Sequence, residues 1–223
     1  MVHDINNPFA EPEERFESPF FEIVFAFMTG SVVIWIVNYS SYDALFGIVT
    51  NHARIKMIVF CMKLEDAFDQ KDDQLMQKGV KEFINEQNRM YRFVDVIQDS
   101  YNVWLGIILT ITMIQLSFLM FHISAGYGFD LRYIFFSLIC VAHIFLPCNY
   151  ASNLKIMSTE TATMIYCSRW ETVLSKKVAK VIPFIIARAQ IPIQLTFYIF
   201  EFDMKLFVNI LKSSYSIFML MRT

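Results

Sequence analysis

Charge is scarce in this chain. Asp, Glu, Lys and Arg make up 18% of the 223 residues, against about 25% in an ordinary soluble domain, too few to coat a water-soluble surface of this size. The balance of 19 basic and 21 acidic residues gives a net charge of -2 and no basic patch, which excludes a nucleic-acid surface. Four cysteines, Cys61, Cys140, Cys148 and Cys167, lack the spacing of metal ligands, and two fall in or beside an apolar run. They are expected to be free, buried thiols, with neither a metal site nor a disulfide framework. His3, His52, His122 and His143 stand alone, with no HExxH, no glycine-rich phosphate loop and no G-x-S-x-G elbow. No enzyme and no cofactor is therefore expected. Residues 1–19 are polar and acidic, without the apolar core of a cleavable signal, so insertion is expected to depend on the spans themselves.

Apolar residues are abundant. The chain is 56% hydrophobic, with 23 Phe, 13 Met and a mean hydropathy of +0.43, the composition of a membrane protein. The expected fold is all-α, a polytopic membrane helical bundle of about four transmembrane helices with long cytosolic helical extensions. The spans are read at 20–42, 103–123, 131–151 and 193–223. Basic residues crowd the segments 43–102 and 152–192, whereas the loop 124–130 and the amino-terminal 1–19 have few. The positive-inside rule then places 43–102 and 152–192 in the cytosol and the carboxyl terminus outside.

The cytosolic segments continue the spans as helices. Leu45, Ile48, Val49, Ile55, Val59 and Met62 recur at helical spacing, and Val80, Phe83, Ile84, Tyr91, Val94 and Ile97 share a face, with the polar stretch from Asp69 to Gly79 as the turn between them. Helices are also expected over 157–174 and 178–186, the second interrupted at Pro183. The outer halves of the first and third spans are rich in aromatic and soft apolar groups with an occasional hydroxyl. Phe27, Met28, Ser31, Val32, Phe136 and Cys140 there suit a pocket for small hydrophobic molecules.

The last stretch is amphipathic. Drawn as one helix over residues 195–221, it places Glu201, Lys205, Asn209, Lys212, Ser216 and Leu220 in one wedge and Phe207, Ile210, Leu211, Ile217, Phe218 and Met221 on the other side. Its polar face needs water or protein beside it, since lipid would cost kilocalories per group. Either it lines a pore or it bonds to neighbouring helices, with Glu201 and Lys205 as an i,i+4 pair.

Several strings in order along the chain carry a resemblance. Ser18-Pro19-x-x-Glu22, Arg92-Phe93, Tyr166-x-x-x-Trp170, Arg188-Ala-Gln-Ile-Pro192 and Leu211-Lys-Ser-Ser-Tyr-Ser-x-Phe218 together resemble the carboxyl-terminal portion of insect odorant receptors, a seven-transmembrane olfactory family. The resemblance implies that the four spans are the last four of seven, and that three earlier helices are missing from this sequence. It implies an odorant-gated nonselective cation channel in the plasma membrane of olfactory sensory neurons, assembled as a heterotetramer with the odorant co-receptor and opened by a small volatile hydrophobic ligand. The cytosolic helices would form the anchor through which subunits assemble. By position, Leu220 corresponds to the family's outer hydrophobic gate, with Ser216 and Ser213 deeper and Asn209 on the same wet face. Lys205 and Lys212 oppose cation passage unless paired. The alternative reading is a non-conducting structural or regulatory membrane subunit that assembles through the same cytosolic helices.

Overall fold

The computed structural model describes residues 20–124, 131–173, 175–197 and 200–222. The expected extracellular segment 1–19, and all but the first residue of the loop 124–130, lie outside the described residues. Helices dominate: α1 (Phe20–Phe68), α2 (Asp73–Ser124), α3 (Leu131–Tyr166), α4 (Lys176–Ala189) and α5 (Met204–Arg222). A 3-10 turn (Trp170–Thr172) precedes α4, and a two-stranded hairpin, β1 (Thr196–Phe197) and β2 (Phe200–Glu201), precedes α5. α1, α2 and α3 are long and apolar enough to cross a membrane. The chain divides into two units, Met1–Leu45 and Phe46–Thr223. Of the first, the described part is the opening half of α1, whose side chains are mostly exposed, with Ile23, Phe27 and Ile34 each more than 60% accessible.

In the second unit, α1 and α2 form an antiparallel helical hairpin. Phe46, Thr50, Ala53, Met57, Phe60, Leu64 and Ala67 of α1 are buried at alternating steps of four and three, and so are Met76, Val80, Phe83, Gln87, Met90, Val94 and Ile97 of α2. That spacing is the seam of a coiled coil, in which side chains of one helix enter gaps in the other. The rings mark the register: Phe46 meets Tyr101 at 5.1 Å, His52 meets Phe93 at 5.8 Å, and Phe60 meets Phe83 edge-on at 5.2 Å. Near the tip the helices approach closely. A Cβ on Gly79 would stand 2.6 Å from that of Ala67, so glycine is needed there for the approach.

The face packed along α1 differs from the expected one. Of the expected set Val49 packs on the core, whereas Ile48, Ile55, Val59 and Met62 stay exposed, because the seam runs instead through Phe46, Thr50, Ala53, Met57 and Phe60. The reversal itself falls inside the expected turn. Asp72 begins α2 as its cap, accepting the N–H of Gln74 on Oδ1 at 3.0 Å and that of Met76 on its carbonyl at 3.0 Å.

α3 and α4 complete the core. α3 runs through Pro147 without a break and ends at Tyr166, short of the helix expected over 157–174. α4 likewise continues through Pro183, where an interruption was expected. Pro183 lies on the exposed side, where water can take the carbonyl that loses its N–H partner. Arg188 at the end of α4 stands 4.8 Å over the Tyr91 ring, and the Tyr91 hydroxyl donates to its carbonyl at 3.5 Å. Burial pushes the Tyr91 hydroxyl up, and Arg188 beside it offsets part of that. At the other end, His122 of α2 stacks on Tyr133 of α3 with ring centroids 5.3 Å apart. One thiol departs from expectation. Cys61, Cys140 and Cys148 are buried and free, but Cys167, just past α3, is exposed.

Candidate functional site

The expected span over 193–223 is helical only from Met204. Before it, the described residues 193–197 and 200–203 are not helical, and non-helical backbone away from water needs partners for its N–H and C=O groups. Side chains of α2 and α3 supply them. Ser158 Oγ accepts the N–H of Ile193 at 2.9 Å and Ser152 Oγ that of Met204 at 3.0 Å. Gln98 Oε1 accepts the N–H of Thr196 at 2.8 Å, and Gln98 Nε2 donates to the Thr196 carbonyl. Within the segment, Phe202 N–H closes onto the Leu195 carbonyl at 2.9 Å. The Phe197 ring lies directly on Gly106 of α2, where a Cβ would come within 2.1 Å of it.

Asp203 ends this segment and starts α5. Its Oδ1 accepts the Leu206 N–H at 2.8 Å, a side-chain cap for an otherwise orphaned donor. That corrects the single-helix drawing: Glu201 and Asp203 are not on α5. Glu201 pairs instead with Lys155 of α3, Nζ to Oε2 at 2.7 Å, in place of the expected pair with Lys205. Among the described residues Lys205 and Lys212 have no carboxylate partner.

Along α5 the two faces separate as the periodicity predicts. Ile210, Ser214 and Phe218, at steps of four, are buried. Ser214 makes this the sealed side: its Oγ donates to the Ile210 carbonyl at 2.9 Å and lies 3.2 Å from the Met113 carbonyl, while Ser117 Oγ of α2 lies 3.0 Å from the Ser214 carbonyl. Small hydroxyl residues at such a crossing let two helices approach and bond. The opposite face carries Lys205, Asn209, Lys212, Ser213, Ser216 and Leu220, all exposed. Ser216 Oγ turns back to the Lys212 carbonyl at 3.0 Å. Leu220 is 77% accessible, and Asn209 and Ser213 border a cavity toward α2.

The six residues expected to line a ligand pocket fall into two groups. Phe27, Met28, Ser31 and Val32 lie together on one side of α1 in the first unit; Phe27 and Val32 are exposed, and Ser31 Oγ donates to the Phe27 carbonyl at 2.8 Å. Phe136 and Cys140 lie on α3 in the second unit, the ring 43% accessible and the thiol buried. Sequence reasoning missed Gln98, Ser152, Lys155 and Ser158. The α3 trio recurs every three residues on one helix face, a signal that gains meaning only when the segment before α5 is known to be non-helical.

A sequence-family profile described as 7tm Odorant receptor matches residues 3–215. Among solved structures, the insect olfactory receptor OR5 from Machilis hrabei in complex with eugenol is similar with a TM-score of 0.81 and 17% identity, over 96% of this chain and 55% of that one. A second structure of the same receptor gives 0.75 and 18%, with the same coverage. At that identity the likeness is one of fold. The chain thus spans little more than half the length of these receptors. No curated protein matches it.

Proposed function

The chain belongs to the seven-transmembrane odorant receptor family, and on that premise we propose that it is the carboxyl-terminal portion of an odorant-gated, nonselective cation channel subunit. It assembles with the odorant co-receptor in the plasma membrane of olfactory sensory neurons, with its carboxyl end outside. α5 is the pore helix. The observation that carries this is the division of α5 into a face sealed on α2 through Ile210, Ser214 and Phe218 and an open face bearing Asn209, Ser213, Ser216 and Leu220. A stripe of exposed polar side chains along a membrane helix is tolerable where it meets water, and copies of α5 around an axis would provide that.

The cytosolic helices are the assembly surface. Ile48, Ile55, Val59 and Met62 on α1, with Phe184 on α4 at 75% accessibility, are large apolar side chains left open, as expected of faces that meet another subunit or further helices. The ligand is a small volatile hydrophobic molecule. Phe27, Met28, Ser31 and Val32 on α1 offer it soft apolar and hydroxyl groups within the first unit. Support for a small-molecule ligand comes from the similar fold of a receptor solved with eugenol. The ligand favours the open channel by binding that state more tightly.

A second reading rests on Lys205 and Lys212. With Glu201 held by Lys155, neither lysine on the open face of α5 has a carboxylate partner among the described residues, and a ring of such charges opposes cation entry. On this reading the subunit assembles without conducting. Cysteine placed singly at Asn209, Ser213 and Ser216, in the chain co-expressed with a co-receptor subunit, separates the two. Block of the odorant-evoked current by a charged methanethiosulfonate at these positions, and not at Ser214, supports the pore helix; unchanged current at all of them supports the non-conducting subunit.

A further inference from the structure

Between α2, the β1–β2 hairpin and α5 lies a cavity of about 270 Å³. It shares no residue with the outer-half lining of α1 and α3. Phe197, Phe200 and Phe202 of the hairpin segment, with Met113 of α2 and Leu206 of α5, make its apolar wall, and among the described residues no charged side chain borders it. Its polar groups are few. Thr110 Oγ1 already donates to the Gly106 carbonyl at 2.8 Å, whereas the Asn209 amide and the Ser213 hydroxyl make no side-chain hydrogen bond among the described residues. Ser213 brings only a small side chain to its border, and the Phe197 ring fits against Gly106, where no side chain stands in its way.

These features select a ligand. Three aromatic rings favour a flat or ring-bearing guest, met edge-on or offset. The absence of charge excludes ions and phosphate or carboxylate groups, which would enter without a partner. Asn209 Nδ2 and Ser213 Oγ, side by side one turn apart, offer donors to a single oxygen. At interior packing density, about 0.74, the cavity holds a guest of roughly 200 Å³, a small aromatic molecule and far less than a lipid.

We propose that the α2–hairpin–α5 cavity is a binding site for compact, uncharged aromatic molecules bearing one hydrogen-bond acceptor, with the acceptor at Asn209 and Ser213 and the rings among Phe197, Phe200 and Phe202. This goes beyond the odorant pocket and holds whether or not α5 lines a pore.

Benzophenone is the probe, since it has the right size, two rings and one carbonyl. On irradiation its excited carbonyl takes hydrogen from a nearby C–H, and the two radicals join as a carbon–carbon bond, with methionine the favoured target. The full chain in lipid nanodiscs is irradiated with it, and adducts are mapped by peptide mass spectrometry. Met219, exposed on α5, reports simple partition into the apolar phase at the same intrinsic reactivity. The proposal expects labelling at Met113 about tenfold above that at Met219, lost in Thr110→Trp and, independently, in Ser213→Trp, with the Met219 signal unchanged in both. Labelling at Met113 that equals the Met219 level, or persists in both variants, overturns it. Labelling seen only in short-chain detergent gives the cavity to an acyl chain, and labelling confined to monomer gives it to a neighbouring copy; either result also overturns it.

Discussion

Gln98 holds Thr196 the way a neighbouring strand would, its side-chain oxygen taking the Thr196 N–H at 2.8 Å while its amide nitrogen donates to the Thr196 carbonyl. One glutamine of a long helix thereby completes the backbone bonding of the segment that leads into α5. Replacement by leucine keeps the bulk and leaves both groups half-buried and unmatched, at a cost of about 1–3 kcal/mol. The expected result is a lower unfolding midpoint of the purified chain in detergent, with faster amide exchange at Thr196 than in the native protein. An unchanged exchange rate there would remove the clamp from the description.

Gly106 and Phe197 are a second matched pair. In Gly106→Ala the new methyl would occupy the place of the Phe197 ring, and the overpacking costs about 1–3 kcal/mol. Phe197→Ala alone loses the ring's contacts. Made together, the two changes are expected to cost less than the sum of each, and a thermal-unfolding double-mutant cycle measures that coupling.

Gln87 is a polar residue in an otherwise apolar part of the α2 seam, 4% exposed, with its Nε2 unpartnered among the described residues. Leucine there should raise the stability of the α1–α2 hairpin by about 1 kcal/mol, since an unmet donor is removed. The same change should loosen the pairing register, as a single polar seam residue is a common register device. Disulfide trapping between cysteine pairs offset by one heptad would detect the slip.

Leu220→Ser tests the proposed gate. A buried leucine side chain contributes about 2 kcal/mol of apolar free energy, so a constriction dewetted by it should leak on the order of tenfold more once it is polar. Whole-cell recording without ligand, in cells carrying the co-receptor, reads the standing current. A channel that closes as tightly as before has its gate elsewhere.

The thiols should separate by reactivity. Burial pushes Cys61 up to about 12, so at pH 8 roughly one molecule in ten thousand carries the thiolate there. Cys167 is exposed. Iodoacetamide is expected to modify Cys167 first in the folded protein and to reach Cys61 only on unfolding or at strongly alkaline pH, as peptide mapping over a pH series would record.

How much of this was legible in the residues depends on what each element rests on. The turn between α1 and α2 is local chemistry, a polar stretch containing Asp72, and could be read directly. The two faces of α5 follow from the helical period, which Ile210, Ser214 and Phe218 keep in steps of four. The seam of α1 could not be read by hydrophobicity, because Ile48, Ile55, Val59 and Met62 are greasier than the Thr50 and Ala53 that pack. Nor could the start of α5: residues 195–203 are as apolar as a helix core, and only partners distant in sequence, Gln98, Ser152 and Ser158, make an extended path affordable. Once that path is taken, Glu201 leaves the helix and Lys155 becomes its partner.

α2 has 52 residues in one unbroken helix, close to 78 Å at a rise of about 1.5 Å per residue. Near its far end it is bonded to α5 through Ser117 and Ser214, midway it grips Thr196, and at its start it is zipped to α1. With no proline in between, a turn of the helix about its axis at Ser117 is expected to be felt at Phe83 as well, so the partners of its two ends, α5 and α1, are expected to shift together.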